Sequence, residues 1–498
     1  MATNGYECGL KLIKELTTNT EQIQDEVLRE ILSQNAGTEY LRGFLHGQIE
    51  KQLSKKNVPV VTYEDLKPYI DRIANRETSE ILLAKPVTRF YLSSETSGGQ
   101  PKLILVTAKY QKNGALYGTL NQSPTMRYGL IPISLFQFFI QLHLSLVKTK
   151  LYTSPIETNF CPDPNQGLYC QLLFGLIQRD EVVKVGSLFA SVLLRGIKFL
   201  ENHWQKLCYD IKTGRLSDWI TDSGCRDAAS LVMKPNPEQA DLIENICNFR
   251  KLWPKARYIY CVCTGIMRQY IAELEFYCRG IPLVSTSYAC SEAICVINLE
   301  PLCKPCDVSY TFLPNIDTEL VDLVNVKVGQ CYELVVSTCA GKIGDVLMVS
   351  GFYNNAPQFQ FVERKNVILS VDQEKTSETD LFKAITEAKA LLDPLGFILT
   401  EYTSYVDTSS APGHYSVALE WKSHCIIHIK SIGKWNIIAA LEIRVVKQGS
   451  FEVLMDYYVS KGTSLSQYKK PSCIKSEEAL KILDSRVIGK YFSHKSPL

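Results

Sequence analysis

The stretch Tyr91-Leu92-Ser93-Ser94-Glu95-Thr96-Ser97-Gly98-Gly99-Gln100-Pro101-Lys102 crowds hydroxyls, two glycines and a lysine into one loop behind an apolar run. That combination suits phosphate. A triphosphate needs donors from several sides: Ser and Thr hydroxyls, backbone N–H groups that glycine lets come close, and a cation to meet the charge. The G-x-x-x-x-G-K-[ST] spacing of a P-loop is missing, so the usual kinase and ATPase reading does not apply. Ser, Thr and Gly also build ordinary turns, so the rest of the chain decides between a turn and a nucleotide site.

At 498 residues, with 46% apolar and 21% charged, the chain has globular composition and enough length for two or three domains. A formal charge of +2 sets up no field to draw nucleic acid or an anionic membrane, which leaves small metabolites as the expected ligands. The 17 cysteines are scattered, and Met1 to Glu15 lacks the apolar centre of a signal peptide, so a reducing, cytoplasmic setting with free thiols is expected. Cys303-Lys304-Pro305-Cys306 has no second pair at zinc-ribbon spacing and reads as incidental loop cysteines; His424, Cys425 and His428 lie among strand-like neighbours and read as structural. Leu130 to Val147 carries no formal charge, but Pro132, Gln137, Gln141 and His143 are costly in lipid. A buried helix or a segment foreign to the fold is expected there, and no membrane span.

Along the chain, Ile23, Val27, Leu28, Ile31 and Leu32 recur at helical spacing behind a capping cluster Thr18-Asn19-Thr20. Ile81 to Leu92 reads as a strand entering the hydroxyl-rich loop. Leu168 to Ile177 and Val182 to Leu194 read as buried helix and strand, and elements of both kinds continue to alternate, the pattern of a layered α/β domain. Cys331 to Thr338 and Val346 to Phe352 suggest a strand pair, with Asp345 at the end of the intervening turn. Val367 to Val371 is β-branched, and Ser377-x-x-Asp380 opens a helix with Leu381, Ile385, Leu391 and Leu392 on one face. The spacing predicts two domains, a large N-terminal α/β domain over 1–375 and a small α+β domain over 376–498.

Three further segments supply what a nucleotide-activating site needs, in chain order after the first loop. Tyr288-Ala289-Cys290-Ser291-Glu292 follows a strand-like run; Gly344-Asp345-Val346 opens another; Phe361-Val362-Glu363-Arg364-Lys365-Asn366 is followed by Lys375. Ser466-Gln467-Tyr468-Lys469 lies far downstream. Together with the order S-S-x-T-S-G-x-x-x-K, these segments resemble the signatures of adenylate-forming enzymes of the firefly-luciferase-like fold. Longer stretches, among them Gln178-Arg179-Asp180-Glu181-Val182, Phe352-Tyr353-Asn354-Asn355-Ala356-Pro357-Gln358-Phe359 and Tyr402-Thr403-Ser404-Tyr405, resemble the plant acyl acid-amido synthetases over nearly the whole chain, and their wording is closest to the jasmonate-conjugating branch with the auxin-conjugating branch next.

The resemblance implies an ATP-dependent ligase that joins a hormone-like carboxylic acid to an amino acid through an acyl-AMP. It implies nucleotide contacts from Ser93, Ser94, Thr96, Ser97, Tyr288, Ser291, Glu292, Asp345 and Arg364, with Glu292 holding Mg²⁺ and Asp345 accepting from the ribose hydroxyls. Lys375 is the implied hinge lysine and Lys469 the implied lysine of the mobile C-terminal loop, both read as catalytic. A monomer with a small acid, ATP and an amino acid as its partners is expected. The acyl-phosphate supplies the leaving group, so no protein nucleophile is needed, and no Ser-His-Asp or Cys-His set stands out.

The chain departs from that pattern at several points. Glu95 stands where the family has glycine, placing a carboxylate beside an anionic triphosphate. Only Lys342 and Ile343 separate Gly341 from Gly344, where the family has a longer strand end, enough to shift the strand register or tighten the turn that aims Asp345. The regions from Lys102 to Tyr152 and from Trp421 to Ala440 are short, and Ser472 replaces an expected arginine. These departures set up the alternative of a degenerate, catalytically impaired paralogue that binds nucleotide or acid without turnover.

Overall fold

A computed structural model of the chain describes residues 2–92, 102–108, 127–129, 152–246, 249–289, 294–312, 323–336, 341–364, 368–371, 374–392, 394, 398–407, 414–421, 441–461, 463 and 468–492. The molecule is α/β, as the alternation predicts.

Near the N-terminus the helices Ala2–Thr18 and Thr20–Asn35 are separated only at Asn19. The expected cap is absent there: Asn19 makes no side-chain cap, and the Thr17 and Thr20 hydroxyls turn back to the Ile13 and Thr17 carbonyls at 2.8 and 3.0 Å. Such back-bonding bends a helix rather than starting one. The strand expected from Ile81 begins later, at Val87, because Ile81 belongs to a 3₁₀ turn Ser79–Ile81 and Pro86 offers no N–H. β1 (Val87–Leu92) and β2 (Leu103–Thr107) pair antiparallel with Leu92 opposite Leu103. The two ends of the hydroxyl-rich segment are therefore held one cross-strand pair apart.

The centre of the N-terminal half is a parallel sheet, β3 (Arg127–Gly129), β4 (Val182–Phe189), β5 (Tyr258–Val262) and β6 (Leu283–Val284), in that order. Val185, Ile259 and Leu283 pack into a core shared with the helices Pro164–Ile177 and Ala190–Thr213. The first of these is buried along almost its whole length, as expected of a helix apolar on every side. Asp163 caps it, accepting from the Asn165 N–H at 2.8 Å, and Pro164 sits where its missing N–H costs nothing. The Trp253 indole N–H then ties the adjoining segment to the Gly175 carbonyl at 2.9 Å.

From β6 the chain steps through Ser285-Thr286 into a second, antiparallel sheet. Its strands are β7 (Ser287–Ala289), β8 (Ile294–Ile297), β9 (Tyr310–Phe312), β10 (Cys331–Val336), β11 (Gly341–Tyr353) and β12 (Ala356–Arg364), ordered β10-β11-β12-β9-β8-β7. The expected strand pair is present as β10 and β11, but Asp345 lies inside β11 and not in a turn, since that strand begins at Gly341.

A hairpin of β13 (Ile368–Val371) and β14 (Glu374–Ser377) leads to the C-terminal region, whose sheet runs β15 (Leu399–Asp407), β16 (His414–Trp421), β17 (Glu442–Val446) and β18 (Val487–Phe492). The cap of the helix Glu378–Leu392 forms as read: Ser377 Oγ accepts from the Asp380 N–H at 3.1 Å. Leu381 and Ile385 pack on Tyr402, Val417 and Leu419, whereas Leu391 is exposed, being one residue off the stripe that Leu381, Ile385 and Leu392 share. The apolar run from Leu130 to Val147 and the His424–Cys425–His428 group lie outside the described residues. Among the described residues no helix is long and apolar enough to cross a membrane.

Two stability predictions follow from the parallel sheet. A Cβ at Gly186 would stand 2.2 Å from the Tyr260 carbonyl oxygen. Gly186→Ala should therefore cost about 1–3 kcal/mol, read as a lower urea midpoint; an unchanged midpoint refutes the close approach. Lys184, on the face opposite Val185, holds its ammonium 4.2 Å from the Tyr260 ring centre, and burial lowers its pKa to about 8 from the ordinary 10.5. Between those values the folded state binds fewer protons than the unfolded one, so stability should rise with pH across that window. Lys184→Met should remove that rise in a pH series of unfolding midpoints.

Candidate active site

Ligands of open parallel sheets settle outside the carboxyl ends of the strands. Here those ends are Phe189, Val262 and Val284, and the segments leaving them, Thr264-Gly265 and Ser285-Thr286, are polar. Ser285 Oγ lies 2.8 Å and Thr264 Oγ1 3.4 Å from the Tyr310 hydroxyl, so both segments converge on one phenol of the antiparallel sheet. Burial raises that phenol to about 12, with the two hydroxyls pulling against the rise. Gly265 has φ +61°, and a Cβ there would sit 3.0 Å from the Phe361 ring. The turn after β5 thus needs glycine both for its conformation and for the approach of that ring.

Tyr288, on β7, stands beside this group, with ring centres 6.0 Å from Tyr310 and 6.4 Å from Phe361. Its hydroxyl donates to Oδ2 of Asp345, which is only 1% exposed. A carboxylate so far from water is tolerated when hydrogen-bonded. The aim of Asp345 comes from an irregularity in its strand: Val346 pairs with Glu333 but Lys342 with Val335, so extra residues of β11 bulge opposite β10, and Gly344 takes φ +83° there. A bulge with glycine in the left-handed region re-aims the next side chain.

Of the residues read from the sequence, the structure brings together Tyr288, Asp345 and Arg364, the last being the cross-strand partner of Asp345 on β12. Lys469 reaches the same end of the parallel sheet from the C-terminal region: its ammonium lies 5.0 Å from the ring centre of Phe189, the residue paired with Val262. Lys375 is placed elsewhere, on β14 opposite Ser370, in a hairpin that the Tyr415 hydroxyl fastens to the C-terminal sheet through the Leu369 carbonyl at 3.2 Å. Ser93, Ser94, Thr96, Ser97, Ser291 and Glu292 lie outside the described residues, as does Glu95. The strands that flank them are described: Leu92 pairs with Leu103, and Ala289 pairs with Ile294.

Sequence reasoning missed Thr264, Ser285, Tyr310 and Phe189 as members of this site. A usable signal existed for the first two, since each is a hydroxyl residue just past an apolar parallel strand. None existed for Tyr310, which reads as an ordinary strand position.

Models of the GH3 family match most of the chain: its N-terminal domain over residues 9–133 and 119–283, its central domain over 305–364 and its C-terminal domain over 379–478. The indole-3-acetic acid-amido synthetase GH3.17 of Arabidopsis thaliana is 44% identical, covering 99% of this chain and 97% of its own. That alignment runs over 594 positions, more than this chain contains, so residues of the relative have no counterpart here. The solved structure of the AtGH3.15 acyl acid amido synthetase in complex with 2,4-DB superposes with TM-score 0.89 at 43% identity, covering all of this chain and 99% of the other. A 2-hydroxyisobutyryl-CoA ligase in the postadenylation state, at TM-score 0.51 and 11% identity over 93% of this chain and 90% of the other, shares the fold alone. The chain with its buried Tyr288–Asp345 pair belongs to the GH3 family of plant acyl acid amido synthetases.

Proposed function

We propose that this protein is an ATP-dependent ligase that adenylates a plant-hormone carboxylic acid and passes the acyl group to an amino acid, forming an amide. Indole-3-acetic acid and jasmonic acid are the two acids proposed; the wording of the sequence favours the second, and the name of the GH3.17 relative supports the first. The observation that carries the reading is the convergence of Asp345, Tyr288 and Lys469 on the carboxyl end of the parallel sheet.

In the first half-reaction a carboxylate oxygen attacks the α-phosphorus of ATP, and pyrophosphate leaves. In the second the amino acid's amine attacks the acyl carbonyl, the C–O bond to phosphate breaks, and AMP departs with a proton released. Asp345 accepts from the ribose hydroxyls. Buried beside the Tyr288 phenol, it offers an acceptor fixed before the nucleotide arrives, which spares reorganisation. The Tyr288, Tyr310 and Phe361 rings supply an apolar wall for the purine. Lys469 carries its charge to the cleft, where negative charge develops on phosphate oxygens, while Arg364 and the hydroxyls of Ser93, Ser94, Thr96, Ser97 and Ser291 complete the nucleotide contacts. Mg²⁺ held by Glu292 would offset phosphate charge when bound. Lys375, in its hairpin beside the C-terminal sheet, serves as the hinge.

Pyrophosphate release with ATP, Mg²⁺ and either acid tests the reading; no release above blank at high protein concentration overturns it in favour of a binding protein without turnover. Asp345→Ala should weaken nucleotide binding about 10- to 100-fold, the worth of a hydrogen bond to a charged group, with no change in the affinity for the free acid. Glu95→Gly removes a carboxylate from the triphosphate loop and should raise kcat/KM for ATP about tenfold, whereas an unchanged value would show that this charge does not limit the protein.

A further inference from the structure

Beside Lys469 is a second lysine with a different fate. From Tyr468 to Ile474 burial alternates with period two, so Lys469 and Lys470 point to opposite sides of an extended segment. Lys470 is 6% exposed; its ammonium lies 2.8 Å from Glu401 Oε2 and 4.3 Å from the centre of the Tyr402 ring. The same segment is stitched to β15 further on: Thr403 Oγ1 donates to the Pro471 carbonyl at 2.6 Å, and the Ser404 N–H to the Ser472 carbonyl at 2.9 Å. Glu401 has another partner from the large domain. Tyr270 ends the 3₁₀ turn Gly265–Tyr270 that leaves the site, is 3% exposed, and donates its hydroxyl to Glu401 Oε2 at 3.1 Å, with Oε1 at 3.3 Å.

We propose that Tyr270, Glu401 and Lys470 form a latch between the two domains, with Tyr270 a positioning residue that holds the Tyr468–Cys473 segment so that Lys469 stands over Phe189 at the cleft. The inference rests on the role given to Lys469 above. Glu401 is the junction: one oxygen takes the ammonium of the lysine segment and the phenol of the turn that begins at Thr264-Gly265, so a shift of the turn is passed to the lysine through two hydrogen bonds. Burial first, and then the charge of Glu401, hold the Tyr270 phenol well above its usual range, so it stays a donor. Arg195 makes a further contact across the same boundary, donating to the Met455 sulfur at 2.8 Å. A charge-assisted hydrogen bond biases docked against released arrangements by about 10- to 100-fold in population. Release of the C-terminal domain therefore has to break the Tyr270–Glu401 bond, while the Lys470–Glu401 pair, internal to that domain, travels with it.

Tyr270→Phe keeps the buried ring and removes only the donor, which makes it the test variant in the full-length protein. Hydrogen exchange of residues 468–473 should quicken about tenfold with the thermal midpoint unchanged, whereas Glu401→Gln, which also takes the counter-charge from the buried Lys470, should quicken it and lower the midpoint as well. ATP–pyrophosphate exchange should fall about tenfold in Tyr270→Phe, and this loss should vanish when Tyr270→Phe is added to Lys469→Ala, because the phenol acts through that lysine. Unchanged hydrogen exchange in Tyr270→Phe overturns the latch, and losses that multiply in the double variant overturn the link to Lys469. Should the wild-type protein show no pyrophosphate exchange, the ligase reading falls, and hydrogen exchange alone still decides the latch.

Discussion

A carboxylate sealed from water must find donors, and in this molecule that requirement falls on Asp345 and the hydroxyl of Tyr288. The bond joins β11 to β7, the two strands lying nearly at opposite sides of the antiparallel sheet, so it constrains how that sheet curves as well as where a ligand can sit. Tyr288 is fixed in turn by the chain's step from β6 through Ser285, whose hydroxyl meets Tyr310. Everything on the sheet side of the cleft is therefore referred to the carboxyl end of the parallel sheet. Removing the phenol donor takes a hydrogen bond from a buried carboxylate, a larger cost than the bond's net worth.

The strand that carries Asp345 is irregular toward both of its neighbours. β10 is the edge strand of the described sheet; its pairing with β11 shifts register between Glu333 and Val335, and the interior pairing with β12 shifts between Val346 and Leu347. On the interior side Asp345 still faces Arg364 and Val346 faces Glu363. Edge strands tolerate bulges because their outer hydrogen bonds go to water.

Much of this was legible in the chain. Gly344-Asp345 and Tyr288 stand out by resemblance to the family's signatures, the Ser377-x-x-Asp380 cap by spacing, and the parallel core by its alternation of apolar runs and helices. What sequence could not convey is partnership across hundreds of residues: Tyr270 with Glu401 is a separation of 131, and no local pattern encodes it. The misplaced Asp345 turn has a local cause. The glycine at 341 reads as a turn by propensity, whereas pairing with β10 keeps 341–342 in the strand, and Gly344 takes φ +83° where the register shifts. The Thr18-Asn19-Thr20 cap failed because its hydroxyl neighbours found carbonyls of the preceding turn first.

The two adjacent lysines show why the site cannot be reduced to its motif. By composition Lys469 and Lys470 are equivalent, and only the period-two alternation of an extended segment separates them, sending one ammonium to an aromatic ring of the large domain and the other to a buried carboxylate. The buried one has lost most of its hydration and is held by Glu401, so its geometry is the more rigid of the pair. An extended backbone fixed at residue 470 leaves its neighbour few directions to point. The lysine that faces the cleft is thus aimed by the one that does not, and the accuracy of that aim is set by how firmly Glu401 is held from the other domain.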